Sequence, residues 1–508
     1  MFSLDNALKF RYNHIMKVLN PETMLSIRST FLQAGYTRTG ILERIRAGDF
    51  PALKASDIPI LMRHTQSGSA LDTLIRLFLV EVPCNKDAVS EAITPMDVSD
   101  WAEAGLITMN GSEVLAAVKV LPFHDLLLAF DLPSMLTGGS GRDYVMGIGA
   151  STLTLANLTI RKASSLTLDM GAGCGLQALL AARHSEKVIA TDINERAVAF
   201  ARFNAALNGI ENVQCRRGDF FEPVNGIEFD LIMSNPPYVI SPEHDYAYCS
   251  AGLAGDELCR KIVQEGSALL AEGGFCQVLC NWAEFDGSPW MDRIRGWVEG
   301  SLCDAWVMRS QSRDITSYAS TWIRHTEPKE NGITRERFEK WMRYYDHMGI
   351  SRIGAGIVTL RRRTGGQNWF RADEAPKKML GPCGENILMG FALRDFLESS
   401  TDSDLLAARL VLSADARLKR VCTPASGGWK DTSLKLSLER GFVYSGDIDG
   451  VMANFLIACT GQKTLREVLQ ESAADMGVAP DSIKDAFVTM VRPLVEQGFL
   501  FPVTATQP

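Results

Sequence analysis

Basic charge is scarce in this chain. Its 508 residues hold 52 lysines and arginines against 60 aspartates and glutamates, a formal charge of -8, and the pI is near 5.6. That balance argues against a generally basic, nonspecific nucleic-acid binder, although a local patch can sit on an acidic protein. Arg361, Arg362 and Arg363 form such a cluster, read here as a solvated strand end. The eleven cysteines are odd in number and scattered, without a C-x-x-C pair, so neither a disulfide framework nor a zinc ribbon is indicated and no metal is expected. Cys276 and Cys280 read as core. Long apolar runs are missing too. Residues 1 to 13 are interrupted by charges, and Leu71 to Val80 is too short to span a bilayer, which points to a reducing cytoplasm and no membrane partner. Low-complexity stretches are absent. What remains, 46% hydrophobic and 22% charged, is the composition of an ordinary globular protein long enough for several domains.

The most informative feature present is Asn235-Pro236-Pro237-Tyr238, closing the mostly apolar stretch Phe229 to Met233. A planar amide or exocyclic amino nitrogen is a poor nucleophile because its lone pair is delocalised. Two acceptors, the Asn235 side-chain oxygen and the Pro236 carbonyl, can each take one N–H of a planar NH2 and leave the lone pair directed at an electrophilic carbon. Proline stiffens the backbone carrying them, and Pro237 and Tyr238 add a surface on which a flat substrate can stack. A proline-rich turn closing a strand is the bland alternative.

Context upstream decides between the two. Leu166 to Met170 reads as a buried strand, followed by Gly171, Gly173 and Gly175 and a helical stretch from Leu176 to Arg183. Such a turn lets a ligand approach the backbone and the N–H groups of a helix start. Leu176 stands where a dinucleotide fingerprint would continue toward its third glycine, which lowers the prior for a nicotinamide or flavin enzyme. Val188 to Thr191 ends in Asp192, at the distance where an acidic residue meets a ribose, and Val213 to Arg216 leads to Asp219 and Phe220, a carboxylate and a ring suited to an adenine. Four strands with polar carboxyl ends, separated by helices such as Glu195 to Leu207, describe a parallel sheet with ligands along one edge.

These motifs in this order, Leu168-Asp169-Met170-Gly171-Ala172-Gly173-Cys174-Gly175, then Asp192, Asp219 and Asn235-Pro236-Pro237-Tyr238, resemble class I S-adenosylmethionine-dependent methyltransferases of the N-P-P-Y branch. That branch includes protein glutamine-N5 methyltransferases acting on release factors and rRNA, tRNA and DNA amino-group methyltransferases. The segment 250 to 258, with Gly252, Gly255 and Asp256, is similar to the glycine and aspartate segment of the glutamine enzymes, with altered spacing. The line from Gly147-Ile148-Gly149-Ala150-Ser151 to Ala305-Trp306-Val307 is similar to a bacterial group of long methyltransferases. The resemblance implies S-adenosyl-L-methionine as cofactor, with Gly171, Gly173 and Gly175 lining its methionine and ribose part. It also implies that Asp169 supports the loop near the cationic end and that Asp192 binds the ribose hydroxyls. Asp219 and Phe220 would take the adenine, and Asn235, Pro236, Pro237 and Tyr238 the substrate. His244 and Asp245 read as a solvated loop pair in preference to a proton acceptor.

The expected architecture is α/β, a Rossmann-like class I methyltransferase sheet over residues 138–365 between N- and C-terminal domains at 1–137 and 366–508. In the first flank, helices at Leu71 to Val80 and Val98 to Ala104 precede a strand at Leu106 to Met109, an Asn110-Gly111 turn and a strand from Glu113 to Val120, a winged-helix-like pattern. Gly138, Gly139 and Gly141 mark the linker into the core. Phe275 to Leu279, Ala305 to Met308 and Ile353 to Leu360 would complete the sheet. A helical insertion at about 314–350 would contribute Trp322, Trp341, Tyr344 and Tyr345, aromatics read as core ahead of base-stacking platforms. Gly365-Gly366-Gln367 matches the tripeptide that release-factor glutamine methyltransferases modify, by chance on this reading. The C-terminal part, α-rich and winged-helix-like by its faint echo of the first flank, has helices at Leu393 to Ser399, Leu465 to Ala473 and Asp481 to Glu496. The second carries a Thr464/Glu467 capping box, Pro493 kinks or shortens the third, and a strand follows at Phe499 to Val503.

The resulting expectation is an S-adenosylmethionine-dependent N-methyltransferase. A nucleobase amino group, in RNA before DNA, is ranked ahead of a protein glutamine amide, and a cofactor-binding regulatory or scaffold protein comes third. Oligomeric state is left open.

Overall fold

The structure is a computed structural model that describes residues 16–50, 55–133, 143–243, 253–326 and 334–503. His244, Asp245, Ser250 and Gly252, the glycines at 138, 139 and 141, and the first residues of the chain lie outside the described residues. Two compact units are present, Met1–Leu155 with Ala163–Glu374, and Ala156–Lys162 with Ala375–Pro508.

The first unit is built on an eight-stranded sheet: β1 (Ser164–Met170), β2 (Ser185–Asp192), β3 (Val213–Arg217), β4 (Phe229–Ser234), β5 (Leu270–Glu284), β6 (Cys303–Asp314), β7 (Arg352–Arg362) and β8 (Phe370–Glu374). Their order across the sheet is β3-β2-β1-β4-β5-β7-β6-β8. Strands β1 to β5 pair in parallel, and β7 runs antiparallel to both neighbours. Parallel strands buried on both faces need near-continuous apolar sequence, which Leu168, Ile189, Leu231, Ile232 and Val278 supply. Chain direction across the sheet reverses between β1 and β4, so the loops leaving those strands diverge and open a crevice at their carboxyl ends.

Helices α1 (Leu176–Ala181), α2 (Glu195–Leu207), α3 (Glu257–Ala268), α4 (Trp290–Val298), α5 (Ile315–Thr326) and α6 (Arg335–Met348) connect the strands. Helix α2 starts at Asn194, whose side chain accepts from the Arg196 N–H at 2.9 Å. Helices α5 and α6 form the insertion between β6 and β7. The sheet continues past residue 365, because β8 adds a parallel edge strand beside β6.

Ahead of the sheet, short helices including Lys86–Ala92 and Val98–Glu103 accompany a three-stranded antiparallel sheet of Cys84–Asn85, Glu113–Ala116 and Ile107–Asn110. The strand expected from Glu113 to Val120 is two strands. Ala117 N–H returns to the Leu106 carbonyl at 2.9 Å and closes the first hairpin. Lys119 then opens a second, Lys119–Phe123 with Leu126–Phe130, by burying its ammonium against Glu81 at 2.8 Å. The helix expected over Leu71 to Val80 is α-helical only from Ala70 to Leu74 and continues as a π-helical stretch, Ile75–Val80.

Strand Leu126–Phe130 is fastened to α2 by two side-chain amides. Asn204 takes the Ala129 N–H at 2.8 Å and donates to the Ala129 carbonyl at 2.8 Å, and Asn208 does the same for Leu127 at 2.9 and 2.8 Å. Both mimic a neighbouring strand.

Arg361 and Arg363 are not a solvated strand end. They converge on the fully buried Asp304 of β6, Arg363 at 2.8 Å, and Arg362 donates to the Ser301 carbonyl at 2.9 Å. A buried carboxylate needs such partners, and the register opposing Asp304 to Arg361 provides one. Gly365, Gly366 and Gln367 sit in the exposed connection between β7 and β8.

In the second unit, Arg409–Leu412 is the central strand of a three-stranded sheet with Thr460–Thr464 and Leu500–Pro502. Helices Gly384–Ser399, Leu465–Met476 and Pro480–Glu496 bury Leu393, Leu397, Val468, Val491 and Val495 in its core. Thr464 and Glu467 form the expected capping box. Pro493 does not end its helix, which runs on to Glu496. An antiparallel sheet of Ala416–Ala425, Gly428–Leu438 and Ser445–Ile448 has no counterpart in the sequence reading.

Candidate functional site

A cleft of about 750 Å³ opens where the sheet order reverses, and its wall brings together Asp169, Gly171, Gly173, Asp192, Asp219, Phe220, Asn235, Pro236, Pro237 and Tyr238. Gly175 is not on that wall. At φ +86 it is the residue from which α1 starts, and a Cβ there would meet the Ala201 Cβ at 3.0 Å, so it serves the turn and the packing of α1 on α2.

Each wall residue is placed by its strand. The turn after β1 folds back on β2, with the Gly171 and Ala172 N–H groups both donating to the Thr191 carbonyl at 2.9 Å. Gly173 has φ +53 and no described residue within 4 Å of where a Cβ would stand, an open cradle beside backbone. Its N–H donates to Asp192 Oδ2 at 2.9 Å, while Asp192 Oδ1 accepts from Asn194 N–H at 2.9 Å. Asp192 thus shapes the glycine turn, and each of its oxygens retains a lone pair for a ligand hydroxyl. Burial raises its pKa.

Asp169 lies deeper, with Oδ2 accepting from the Ala178 N–H in α1 at 2.9 Å. Burial pushes its carboxyl up to about 7, and the neighbouring charge of Asp192 adds to the rise. A cation beside this pair is favoured on electrostatic grounds. Asp219 is exposed and Phe220 half-buried, with the Lys261 ammonium 4.0 Å from the Phe220 ring centroid. An open glycine cradle, a carboxylate at the end of β2 and a carboxylate beside a ring after β3 fit the methionine, ribose and adenine parts of the expected cofactor.

On the other side, Asn235 Nδ2 donates to Ser151 Oγ at 3.2 Å, and Asn235 Oδ1 is buried without a hydrogen-bond partner among the described residues. A buried amide oxygen left unpaired costs about 1–3 kcal/mol, so this atom is a ready acceptor for an incoming N–H. The Pro236 carbonyl accepts from the Tyr238 N–H at 2.8 Å, using one of its two lone pairs. Sequence reasoning quoted Ser151 within a family motif without giving it a role.

The chain after Tyr238 is held by the insertion. Ile240 N–H donates to Tyr318 Oη at 3.1 Å, Tyr345 Oη donates to the Ile240 carbonyl at 2.8 Å, and Glu243 is paired with Arg337 at 2.9 Å. Asn281 donates to the same Tyr318 Oη at 2.7 Å. Trp341 and Tyr345 are buried in the core beneath this segment, whereas Trp322 reaches the cleft. At the opposite rim, Asp131 is buried against Arg196 at 3.0 Å and accepts from Val145 N–H at 2.8 Å, fixing the segment that carries Tyr144, Val145 and Met146 into the wall. Tyr144, Thr152 and Gln177 are cleft residues that no motif marked, and Trp322, expected in the core, lines the cleft as well.

Comparison with known proteins finds methyltransferases. Residues 148–284 match the family model described as Methyltransferase small domain, and residues 33–117 and 389–502 match two domains of unknown function. A Methanocaldococcus jannaschii protein provisionally named a protein N5-glutamine methyltransferase is 34% identical over 137 residues, 25% of this chain and 68% of that one. The Release factor glutamine methyltransferase of Aquifex aeolicus is 36% identical over 126 residues, 23% of this chain and 45% of that one, so the chain spans less than half of that relative. A provisionally assigned methyltransferase of Streptococcus mutans, solved in complex with SAH, aligns over 43% of this chain and 100% of that one, at 14% identity and a TM-score of 0.26. No helix among the described residues is long and apolar enough to cross a membrane. The chain belongs to the class I S-adenosylmethionine-dependent methyltransferases of the N-P-P-Y branch, and S-adenosylmethionine is its cofactor.

Proposed function

We propose that the enzyme methylates the side-chain amide nitrogen of a glutamine in a protein substrate. The observation that carries this reading is Asn235 on the wall of the cleft, with an Oδ1 that is buried and has no partner among the described residues. A primary amide presents two N–H groups in one plane. Asn235 Oδ1 accepts one and the second lone pair of the Pro236 carbonyl accepts the other, which turns the nitrogen lone pair out of that plane toward the donor side. Tyr238 packs along the amide plane.

When bound, the cofactor supplies an electrophilic methyl group on a positively charged sulfur. Asp192 and the Gly171 to Gly173 turn hold its ribose and methionine part, Asp219 and Phe220 its adenine, and Asp169 stabilises the charged end. As the nitrogen bonds to carbon it becomes more positive and its protons more acidic, so the two acceptors bind it more tightly in the transition state than in the ground state. Loss of one N–H proton afterwards restores the neutral amide.

A nucleobase amino group offers the same planar NH2, and the sequence reading ranks it first. Two observations support the reverse order. Relatives matched over the core carry glutamine methyltransferase names. Of the insertion aromatics that could offer stacking surfaces to a base, Trp341 and Tyr345 are core residues, which leaves Trp322 at the cleft. Within this proposal the flanking regions, the first winged-helix-like by its helices and hairpin, present the substrate protein. Incubation with methyl-labelled donor and a cell lysate tests the assignment. Label released by protease and carried on glutamine supports it, and label released by nuclease returns the nucleobase to first place.

A further inference from the structure

The antiparallel hairpin Ala416–Ala425 with Gly428–Leu438 carries a charge pattern unlike the rest of this acidic chain. Pairing fixes which side chains share a face. Leu418 opposes Leu436 and Ala416 opposes Leu438, and because Leu436 and Leu438 are buried in the core of the second unit, that face points inward. On the outward face the register places Arg417 opposite Ser437, Lys419 opposite Lys435, Val421 opposite Ser433 and Thr423 opposite Lys430.

Lys419 and Lys435 as direct cross-strand partners are destabilising, since like charges across a pair repel. Lys419, Lys430 and Lys435 are exposed and form no ion pair with a described residue. Arg417 is paired with Glu439 at 2.9 Å, and Asp447 of the third strand lies opposite Lys435 without pairing to it. Beyond the lysines, Trp429 is 74% exposed at the hairpin end, on the inward-facing side of the register. Repulsive charge with hydroxyls between is the arrangement of an anion site, and Lys419 beside Lys435, with Lys430 nearer the hairpin end, spreads that charge along one face of the hairpin.

We propose that this outward face binds the backbone of a single-stranded nucleic acid, and that Trp429, exposed on the other face where the hairpin ends, stacks on an unpaired base of a strand passing round that end. Cationic tracking combined with an exposed aromatic is the recognition chemistry of such strands. The role is one of partner binding, separate from the methyl-transfer cleft and independent of which nitrogen is methylated.

The test uses the full chain, a fluorescent single-stranded RNA of mixed sequence and fluorescence anisotropy at several salt concentrations. The triple variant Lys419→Gln, Lys430→Gln, Lys435→Gln should bind at least ~10-fold more weakly at low salt, with the log–log salt slope reduced by about two for three lost contacts. Trp429→Ala should weaken binding several-fold and leave the slope unchanged. Calorimetric binding of S-adenosylmethionine, expected to be unchanged, shows that the variants are folded, so failure here leaves the methyltransferase assignment standing. Equal binding by wild type and triple variant overturns the proposal. So does displacement of the RNA by polyglutamate at equal charge, which assigns the face to an acidic protein segment, or lysine-dependent binding to anionic phospholipid vesicles without RNA binding.

Discussion

Ser151 Oγ accepts a hydrogen bond from Asn235 Nδ2 at 3.2 Å, and in this arrangement the oxygen end of the Asn235 amide is left for a substrate. With the nitrogen end engaged, the oxygen end is committed as an acceptor. Ser151→Ala frees the amide to rotate, so turnover should fall about 10-fold, the effect of roughly one hydrogen bond, while donor affinity stays constant. Ser151→Thr should retain most activity. Steady-state kinetics on the substrate protein checks this, and an unaltered rate in Ser151→Ala would detach Ser151 from the site.

Asn235→Ala removes the acceptor itself. A loss of about 100-fold or more in turnover is expected, as for other groups that bind charge developing in a transition state. Tyr238→Phe should be milder than Tyr238→Ala, because the ring face is present in the ground state and the hydroxyl is not needed for stacking. Calorimetry with S-adenosylmethionine should show all three variants binding the donor normally.

The donor side is probed at the glycine turn. Gly173→Val forces a β-branched residue to φ +53 and fills the cradle, and Asp192→Ala removes the acceptor that holds the Gly173 and Asn194 N–H groups. Each should weaken donor binding by about 10-fold or more, equivalent to about 1.4 kcal/mol. Undiminished binding in both would place the donor elsewhere.

Asp169 predicts a pH dependence of stability. Its carboxyl is held up to about 7 by burial, above the ordinary value of about 4. Between those limits the folded state keeps a proton that the unfolded chain releases, so this group's contribution falls as pH rises from about 4 to about 7 and the penalty is complete above that range. Asp169→Asn should therefore be more favourable relative to wild type at pH 8 than at pH 5, by at most a few kcal/mol from about 1.4 kcal/mol per pH unit. Urea titrations of both proteins at the two pH values measure the difference.

Tyr318→Phe tests the clamp on the segment after Tyr238. Its hydroxyl accepts from Ile240 N–H and Asn281 Nδ2, both buried, and removal strands two donors at about 1–3 kcal/mol each. The melting temperature should drop and the Michaelis constant for the protein substrate should rise, with donor binding intact.

The residues of the site are of two kinds. Asp192 and Asn235 were legible in the sequence because they follow apolar runs, Asp169 and Asp219 because they stand beside the glycine turns after their strands, and strand ends in a parallel sheet share one edge. The strands themselves were legible for the same reason, since burial on both faces leaves little freedom in composition. Ser151 and Tyr144 were not, because neither lies at the carboxyl end of a sheet strand, and Trp322 was read as core because aromatics at helical spacing usually are, whereas its helix brings it to the cleft. Arg361 and Arg363 were misread as solvated because their partner, Asp304, is 57 residues away from Arg361 along the chain and adjacent only through strand register. The hairpin at 416 to 438 escaped notice because its alternation is between charge and short hydroxyl residues on one face, which resembles an ordinary polar loop.

Asn204 and Asn208 give the amino-terminal region a particular kind of dependence on the catalytic core. Their carboxamides occupy the place of a missing β-strand, so the backbone of Leu127 and Ala129 is completed by a helix whose other end begins beside Asp192. A region joined in this way is no interchangeable appendage. Transplanted onto a methyltransferase core without both asparagines, it would arrive with an open strand edge, prone to pair with another chain. Kinship between the flank and the core is thus written into two side chains of α2, and descent of one should track descent of the other.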